Sequence, residues 1–133
     1  MTKWTIPDTP EVASLREENA RLRAALASQA AVDVLTERQR QQTDEGWTHQ
    51  HDDQWRNGEL PRAARAYVLA AHVPNTVRDM FLHMAPSHWP WRKEWWRPTT
   101  RRRDLVKAGA LILAEIERLD RAALSGSAPG EGE

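Results

Sequence analysis

The stretch DLVKAGALILAEIERLDRAAL, Asp104 to Leu124, decides the fold class. It contains no proline and is rich in alanine, leucine, glutamate and arginine, which favour helix. Leu105, Ala108, Gly109, Ile112, Ile116, Leu119 and Ala123 recur at helical spacing, so a long amphipathic helix is predicted over 104–124. Working backwards, 86–100 carries Pro86, Pro90 and Pro98 and is expected to be a loop. Residues 75–85 are expected to form a short helix with Val77, Phe81 and Met84 on its apolar side. Glu59 to His72 is a third helical run, ended by Pro74. Its stripe of Leu60, Ala63, Ala64, Tyr67, Val68 and Ala71 is rich in small residues and permits close helix approach. Trp47 to Gly58 is expected as a loop, and a helix from Val32 to about Glu45 is expected to stop at Gly46.

The first helix is read over Glu11 to about Ala31, continuous or nearly so with the second. Thr9 is its expected cap and Pro10 its first residue. Val12, Leu15, Asn19, Leu22 and Leu26 occupy alternating a and d heptad positions. An asparagine at a selects register in parallel zippers, and Glu18 at g with Arg23 at e can pair between helices. This points to a homo-oligomerising coiled coil, the alternative being a helix packed on its own domain. The expectation is thus an all-α chain. Residues 1–10 form an irregular lead-in and 11–33 a coiled-coil-like helix. A compact core of three to four helices with a Trp/Pro-rich loop covers 34–124, and a disordered tail covers 125–133.

The totals set bounds. The 133 residues suit one domain with appendages. Nineteen basic residues balance nineteen acidic ones, so no overall field draws the chain to nucleic acid or membrane. Cysteine is absent, which excludes disulfides, thiolate zinc sites and cysteine nucleophiles. No apolar run approaches membrane-spanning length. A soluble protein of the cytoplasm is expected, with no membrane partner and no sequence-specific DNA target.

Two segments carry chemistry. Glu45-Gly-Trp-Thr-His-Gln-His-Asp-Asp-Gln-Trp55 packs carboxylates, imidazoles and indoles together. His51, Asp52 and Asp53, with Glu59 and an inward-facing Glu115, can supply the oxygen-rich set that suits magnesium. Equally, they can form a capped loop in which His51 bonds a carboxylate. Glu115 is the candidate catalytic carboxylate. It shares a face with Asp104, and Arg62, Arg65 or His51 can partner it. The second segment, Trp89-Pro-Trp-Arg-Lys-Glu-Trp-Trp-Arg-Pro98, interleaves indoles with cations, a pattern that can stack a base and neutralise phosphates. A lid over the core is the competing use. Arg101, Arg102 and Arg103 precede a helix N-terminus, itself favourable to anions. The candidate ligand-binding residues are Trp47, His51, Asp52, Asp53, Arg62, Tyr67, Trp91, Trp95, Trp96, Arg102, Arg103 and Glu115. The candidate metal ligands are Asp52, Asp53, Glu59 and Glu115.

From Leu35 to Ala122 the chain resembles a small family encoded mainly in phages and prophages. The resemblance lies in Glu37-Arg38-Gln39-Arg40-Gln41, Glu45-Gly46-Trp47-Thr48 with His51-Asp52-Asp53, and Gly58-Glu59-Leu60 with Arg62-Ala63-Ala64 and Tyr67. It continues in Trp89-Pro90-Trp91, in Trp95-Trp96-Arg97-Pro98, and in Arg102-Arg103-Asp104 through Arg121. The order of elements is distantly similar to MazG-like all-α nucleotide pyrophosphohydrolases, whose helices carry carboxylates that hold magnesium. The sequence contains no Glu-x-x-Glu, and its single Glu-x-x-Asp is Glu117 to Asp120. These resemblances imply a nucleotide or nucleotide-derived ligand, held as by a phage protein that sequesters a host signal. They also imply, as an alternative, magnesium-dependent hydrolysis. A protein-binding inhibitor or adaptor with tryptophan anchors is the third expectation.

Overall fold

The computed structural model describes residues 8–126, except the side chains of residues 26 and 27. These residues form six α-helices and a single 3-10 turn, with no strand among them. They are α1 (Pro10–Ala27), α2 (Gln29–Thr43), α3 (His49–Asp53), α4 (Glu59–His72), α5 (Asn75–Phe81), the 3-10 turn (Lys93–Trp95) and α6 (Arg101–Leu124). The all-α class expected from the sequence is the class observed. No helix is long and apolar enough to cross a membrane, among the described residues. The expected lead-in up to residue 7 and the expected tail from residue 127 lie outside the described residues.

The chain divides into two compact units, Met1–Val32 and Asp33–Glu133. In the first, Thr9 Oγ1 accepts from the Val12 amide at 3.2 Å and Pro10 takes the first helical position, as the sequence requires. The zipper stripe is solvent-facing within the chain: Leu15 is 64% and Leu22 52% exposed. Glu18 pairs with Arg21 on its own helix at 2.5 Å. The Leu26 side chain lies outside the described residues. The break before α2 falls at Ser28, three residues earlier than expected. Ser28 leaves helical geometry with ψ 129°, and its hydroxyl accepts from the Ala31 amide at 3.3 Å.

In the second unit the core is the contact between α4 and α6. Leu60, Ala63, Ala64, Ala66, Tyr67 and Ala70 face Ala108, Leu111 and Ala114. Small side chains let the two helices approach closely, and the larger Leu60 and Leu111 fill the remaining space. The face of α6 differs from the one expected. Leu105, Ile112, Ile116 and Leu119 are exposed, while Val106, Ala108, Ala110, Leu111 and Ala114 are buried beside Asp104 and Arg118. α6 is apolar around much of its circumference, so periodicity alone does not choose the side. The alanine side fits the small stripe of α4.

Arginines close the ends. Arg78, buried, donates to Ala70 O at 2.7 Å and Thr99 O at 2.9 Å, and pairs with Asp104 at 3.0 Å. Arg101 donates to Ala71 O and Val73 O. The last carbonyls of α4 thereby gain partners that the helix itself cannot give. Asp104 Oδ1 accepts from the Thr99 amide at 2.8 Å. α6 begins at Arg101 rather than Asp104, because Thr100 caps it through a 3.0 Å bond from the Arg103 amide. α5 ends at Phe81, short of the expected 85, leaving Met84 exposed.

α2 lies against α6 differently. Val34 packs on Gly109, where an added Cβ would sit 3.2 Å from Val34 Cγ2, so glycine permits the approach. The rest of the contact is charge. Arg102 pairs with Asp33 at 2.8 Å, Arg103 pairs with Glu37, and Arg38 with Glu117 at 3.0 Å.

Candidate functional site

The segment 46–55 builds one wall of a groove. Gly46 takes a left-handed φ of 74°, which ends α2 and turns the chain so that the Trp47 amide donates back to Gln41 O at 2.8 Å. Thr48 Oγ1 then accepts from the His51 amide at 3.2 Å, and the expected loop contains a helical turn, α3. The turn sets Trp47, His51 and Trp55 at four-residue spacing on one side. Trp47 stacks on the His51 imidazole, with centroids 5.7 Å apart and planes 2° apart. Trp55 donates its indole N–H to His51 Nε2 at 3.3 Å.

That bond fixes the tautomer. An indole nitrogen only donates, so His51 Nε2 accepts and Nδ1 carries the proton. Nδ1 faces Asp52 Oδ1 at 3.1 Å. Asp52 is 0% exposed, and its other oxygen accepts from Arg38 Nη2 at 2.7 Å. Arg38 also donates to Glu117 at 3.1 Å. The expected alternative of His51 bonding a carboxylate is therefore what the structure contains, and Asp52 serves as the buried anchor of the imidazole.

The opposite wall comes from the proline-rich loop. Trp91 contacts Trp47 and Trp55, with centroids 5.8 and 5.5 Å away. Trp89 crosses Trp91 edge-on at 5.3 Å and donates its N–H to Arg92 O at 3.0 Å. Trp96 is 8% exposed and belongs to the core: it donates to Phe81 O at 2.6 Å and lies 4.6 Å from the Tyr67 ring. The loop is thus both lid and lining, with Trp96 and Trp89 as lid and Trp91 and Trp95 as lining. The groove encloses about 530 Å3 between Trp47, His51, Trp55, Trp91 and Trp95, with Glu45 and Arg92 as its charged residues.

A smaller polar cavity of about 40 Å3 adjoins it, sharing Glu45, Trp47 and Trp95 and adding Glu37, Gln41 and Lys107 among its walls. Arg40 holds Glu37 through two bonds of 2.8 Å and Glu45 through one of 3.0 Å. Burial alone would raise the Glu37 carboxyl. Arg40, then Arg103 and Gln41, outweigh this and hold it below its ordinary value. Burial lowers Lys107, whose ammonium donates to Arg97 O at 2.5 Å. Burial pushes the Tyr67 phenol up to about 12, and its oxygen accepts from the Arg97 amide at 3.2 Å.

The other sequence candidates lie elsewhere. Among the described residues, no group of three or more His, Asp or Glu side chains is placed to hold a metal ion. The expected magnesium set is not assembled, because each carboxylate has its own partner. Asp52 is held by Arg38, Asp53 pairs with Arg121 at 2.8 Å, Glu59 accepts from the Asn57 amide at 2.8 Å, and Glu115 pairs with Arg118 at 2.7 Å. The partners expected for Glu115 were Arg62, Arg65 or His51; the observed one is a turn away on its own helix. Arg62 bonds Gly58 O, while Arg102 and Arg103 hold α2 to α6 rather than presenting an anion site. Of the twelve ligand candidates, Trp47, His51, Trp91 and Trp95 line the groove. Sequence reasoning missed Trp55, Glu45 and the buried Arg38 and Gln41. The spacing Trp47, His51, Trp55 is the signal for the first.

Comparison with protein-family models, with curated proteins and with solved structures finds no match to this chain.

Proposed function

We propose that this chain binds a nucleotide or nucleotide-derived molecule, with its base in the tryptophan-lined groove. One observation carries this: four indoles and an imidazole surround an open space of about 530 Å3, with one anion and one cation at its walls. Nucleobases present flat π faces that stack on indole, each such contact contributing roughly 1–3 kcal/mol. Arg92 is exposed at the groove and makes no ion pair among the described residues, so its guanidinium is available to a phosphate.

Binding is favoured over hydrolysis. His51 Nε2, the nitrogen a general base would use, accepts the Trp55 N–H. The carboxylates of the magnesium reading are engaged by arginines or a backbone amide. Retention of an intact ligand accords with a sequestering role of the kind the phage resemblance implies.

Titration with mono-, di- and trinucleotides, followed by tryptophan fluorescence and calorimetry, tests the proposal. Saturable quenching is expected, with the nucleotide recovered unchanged by chromatography. Trp91→Ala should weaken binding roughly tenfold or more, given the stacking energy above, with helical circular dichroism preserved. Indole boxes with a carboxylate also suit quaternary ammonium ions. Binding of choline but of no nucleotide would overturn the proposal.

A further inference from the structure

The groove and the polar cavity meet at Glu45, and two acceptor oxygens there have no protein donor among the described residues. Glu45 gives Oε2 to Arg40 at 3.0 Å, and its other oxygen has no donor among the described residues. Gln41 is 2% exposed, its amide nitrogen donates to Glu37 at 3.2 Å, and its Oε1 has no partner among the described residues. A buried carbonyl without a donor is costly and seldom left so. A carboxylate oxygen and an amide oxygen facing adjoining spaces call for a ligand edge that donates. Donors without a protein partner, the buried Trp91 N–H and the exposed Arg92 guanidinium, line the groove as well and remain for the acceptor oxygens of such a ligand.

The bases differ sharply on this criterion. Guanine places two donors side by side on its Watson–Crick edge, N1–H and the 2-amino group. Adenine and cytosine each place an acceptor nitrogen next to the amino group, which a carboxylate repels. Uracil and thymine flank one N–H with two carbonyl oxygens. A carboxylate already oriented by arginine is a strong acceptor, because hydrogen bonds to an ionised partner are about twice as strong as neutral ones. The geometry points to guanine nucleotides as the ligand class, with Glu45 reading the N1–H and 2-amino donors; this rests on the nucleotide reading of the groove. Gln41 Oε1 then serves as an acceptor for a further donor that reaches the polar cavity, directly or through one water. The cavity, at about 40 Å3, has room for a single water molecule.

The test is calorimetric titration of the full chain with GMP, IMP and AMP, repeated on Glu45→Gln. GMP is expected to bind at least tenfold tighter than AMP. IMP, which keeps N1–H and lacks the 2-amino group, should fall between them. Glu45→Gln should bring GMP and AMP within about threefold of each other, GMP losing its carboxylate acceptor and AMP losing the repulsion at its acceptor nitrogen. Equal affinities for GMP, IMP and AMP in the unaltered chain would overturn the guanine assignment while leaving nucleotide binding intact. Failure of all three to bind would remove the nucleotide reading itself. A guanine preference that survives Glu45→Gln would overturn the role given to Glu45. The comparison of GMP with IMP needs no substitution, so it decides the question even if the variant fails to fold.

Discussion

α6 meets α4 and α2 through contacts built on opposite principles. Against α4 it offers Ala108, Leu111 and Ala114 to a stripe of alanines around Leu60 and Tyr67. Against α2 it offers Arg102, Arg103, Gly109 and Glu117, and α2 answers with Asp33, Glu37, Arg38 and Val34. The first contact gains from removal of apolar surface from water, which is non-directional and tolerant of small shifts. The second is a set of ion pairs between partly exposed and buried partners, Glu37 and Arg38 being the buried ones, whose desolvation offsets much of their attraction. Their value lies in geometry. They fix the end of α2, hence the place where Gly46 turns the chain, hence Trp47 and the groove. The apolar contact holds the unit together, and the charged contact aims the site.

The largest expected effect tests the charged side. Arg38→Ala leaves Asp52 buried without its guanidinium, and removal of one partner of a buried pair costs about 4 kcal/mol. Urea denaturation should show this as a fall in midpoint with unchanged slope. The double change Arg38→Met with Asp52→Leu removes both charges and should recover most of that loss. Ligand affinity should not recover, because His51 loses the carboxylate that anchors its imidazole. Recovery of stability and binding together would show that the pair does not aim the site.

On the apolar side, Leu111→Ala should cost about 3 kcal/mol, the usual figure for truncating a fully buried leucine. Its expected signature is the reverse. The midpoint falls while ligand affinity, measured where the protein is still folded, stays within about twofold, since Leu111 backs the polar cavity without bonding to a ligand. A large loss of affinity at constant fold would erase the distinction between the two contacts.

The same division explains what could be read from the sequence. α4 was legible to the residue, Glu59–His72, because its apolar stripe and the following Pro74 are local signals. The alternation of proline and tryptophan gave the loop and two of the groove residues. The face of α6 was misread, because Leu105 and Ile112 look as core-like as Leu111, and only the shape of α4 separates them. Arg38 and Asp52, fourteen positions apart, and Arg38 and Glu117, seventy-nine apart, carry no periodic mark at all. A charged residue gives no sign in sequence of whether it will be solvated or buried against a partner. Magnesium ligation and partnered carboxylates stand side by side as readings of Asp52, Asp53, Glu59 and Glu115, and in the structure each of the four is engaged by a partner.

The smallest effect expected concerns acid, and it separates Glu37 from the rest of the charged contact. Glu37 is fully buried, and Arg40, Arg103 and Gln41 hold its carboxyl below the ordinary value of 4.5. A group whose folded value is depressed binds fewer protons in the folded state than in the unfolded one throughout the interval between the two values. Its contribution is therefore fully present above about 4.5, where both states are ionised, and is lost as pH falls from there through the lower folded value. Melting temperature should be flat from neutrality down to about pH 5 and should then decline. In Glu37→Gln the decline should be shallower, because the residue at this position no longer titrates, although the whole curve sits lower for want of a carboxylate facing Arg40 and Arg103. Parallel curves for the two proteins would mean that other carboxylates set the acid limit. Glu37 would then be a structural partner whose ionisation contributes nothing to the pH dependence.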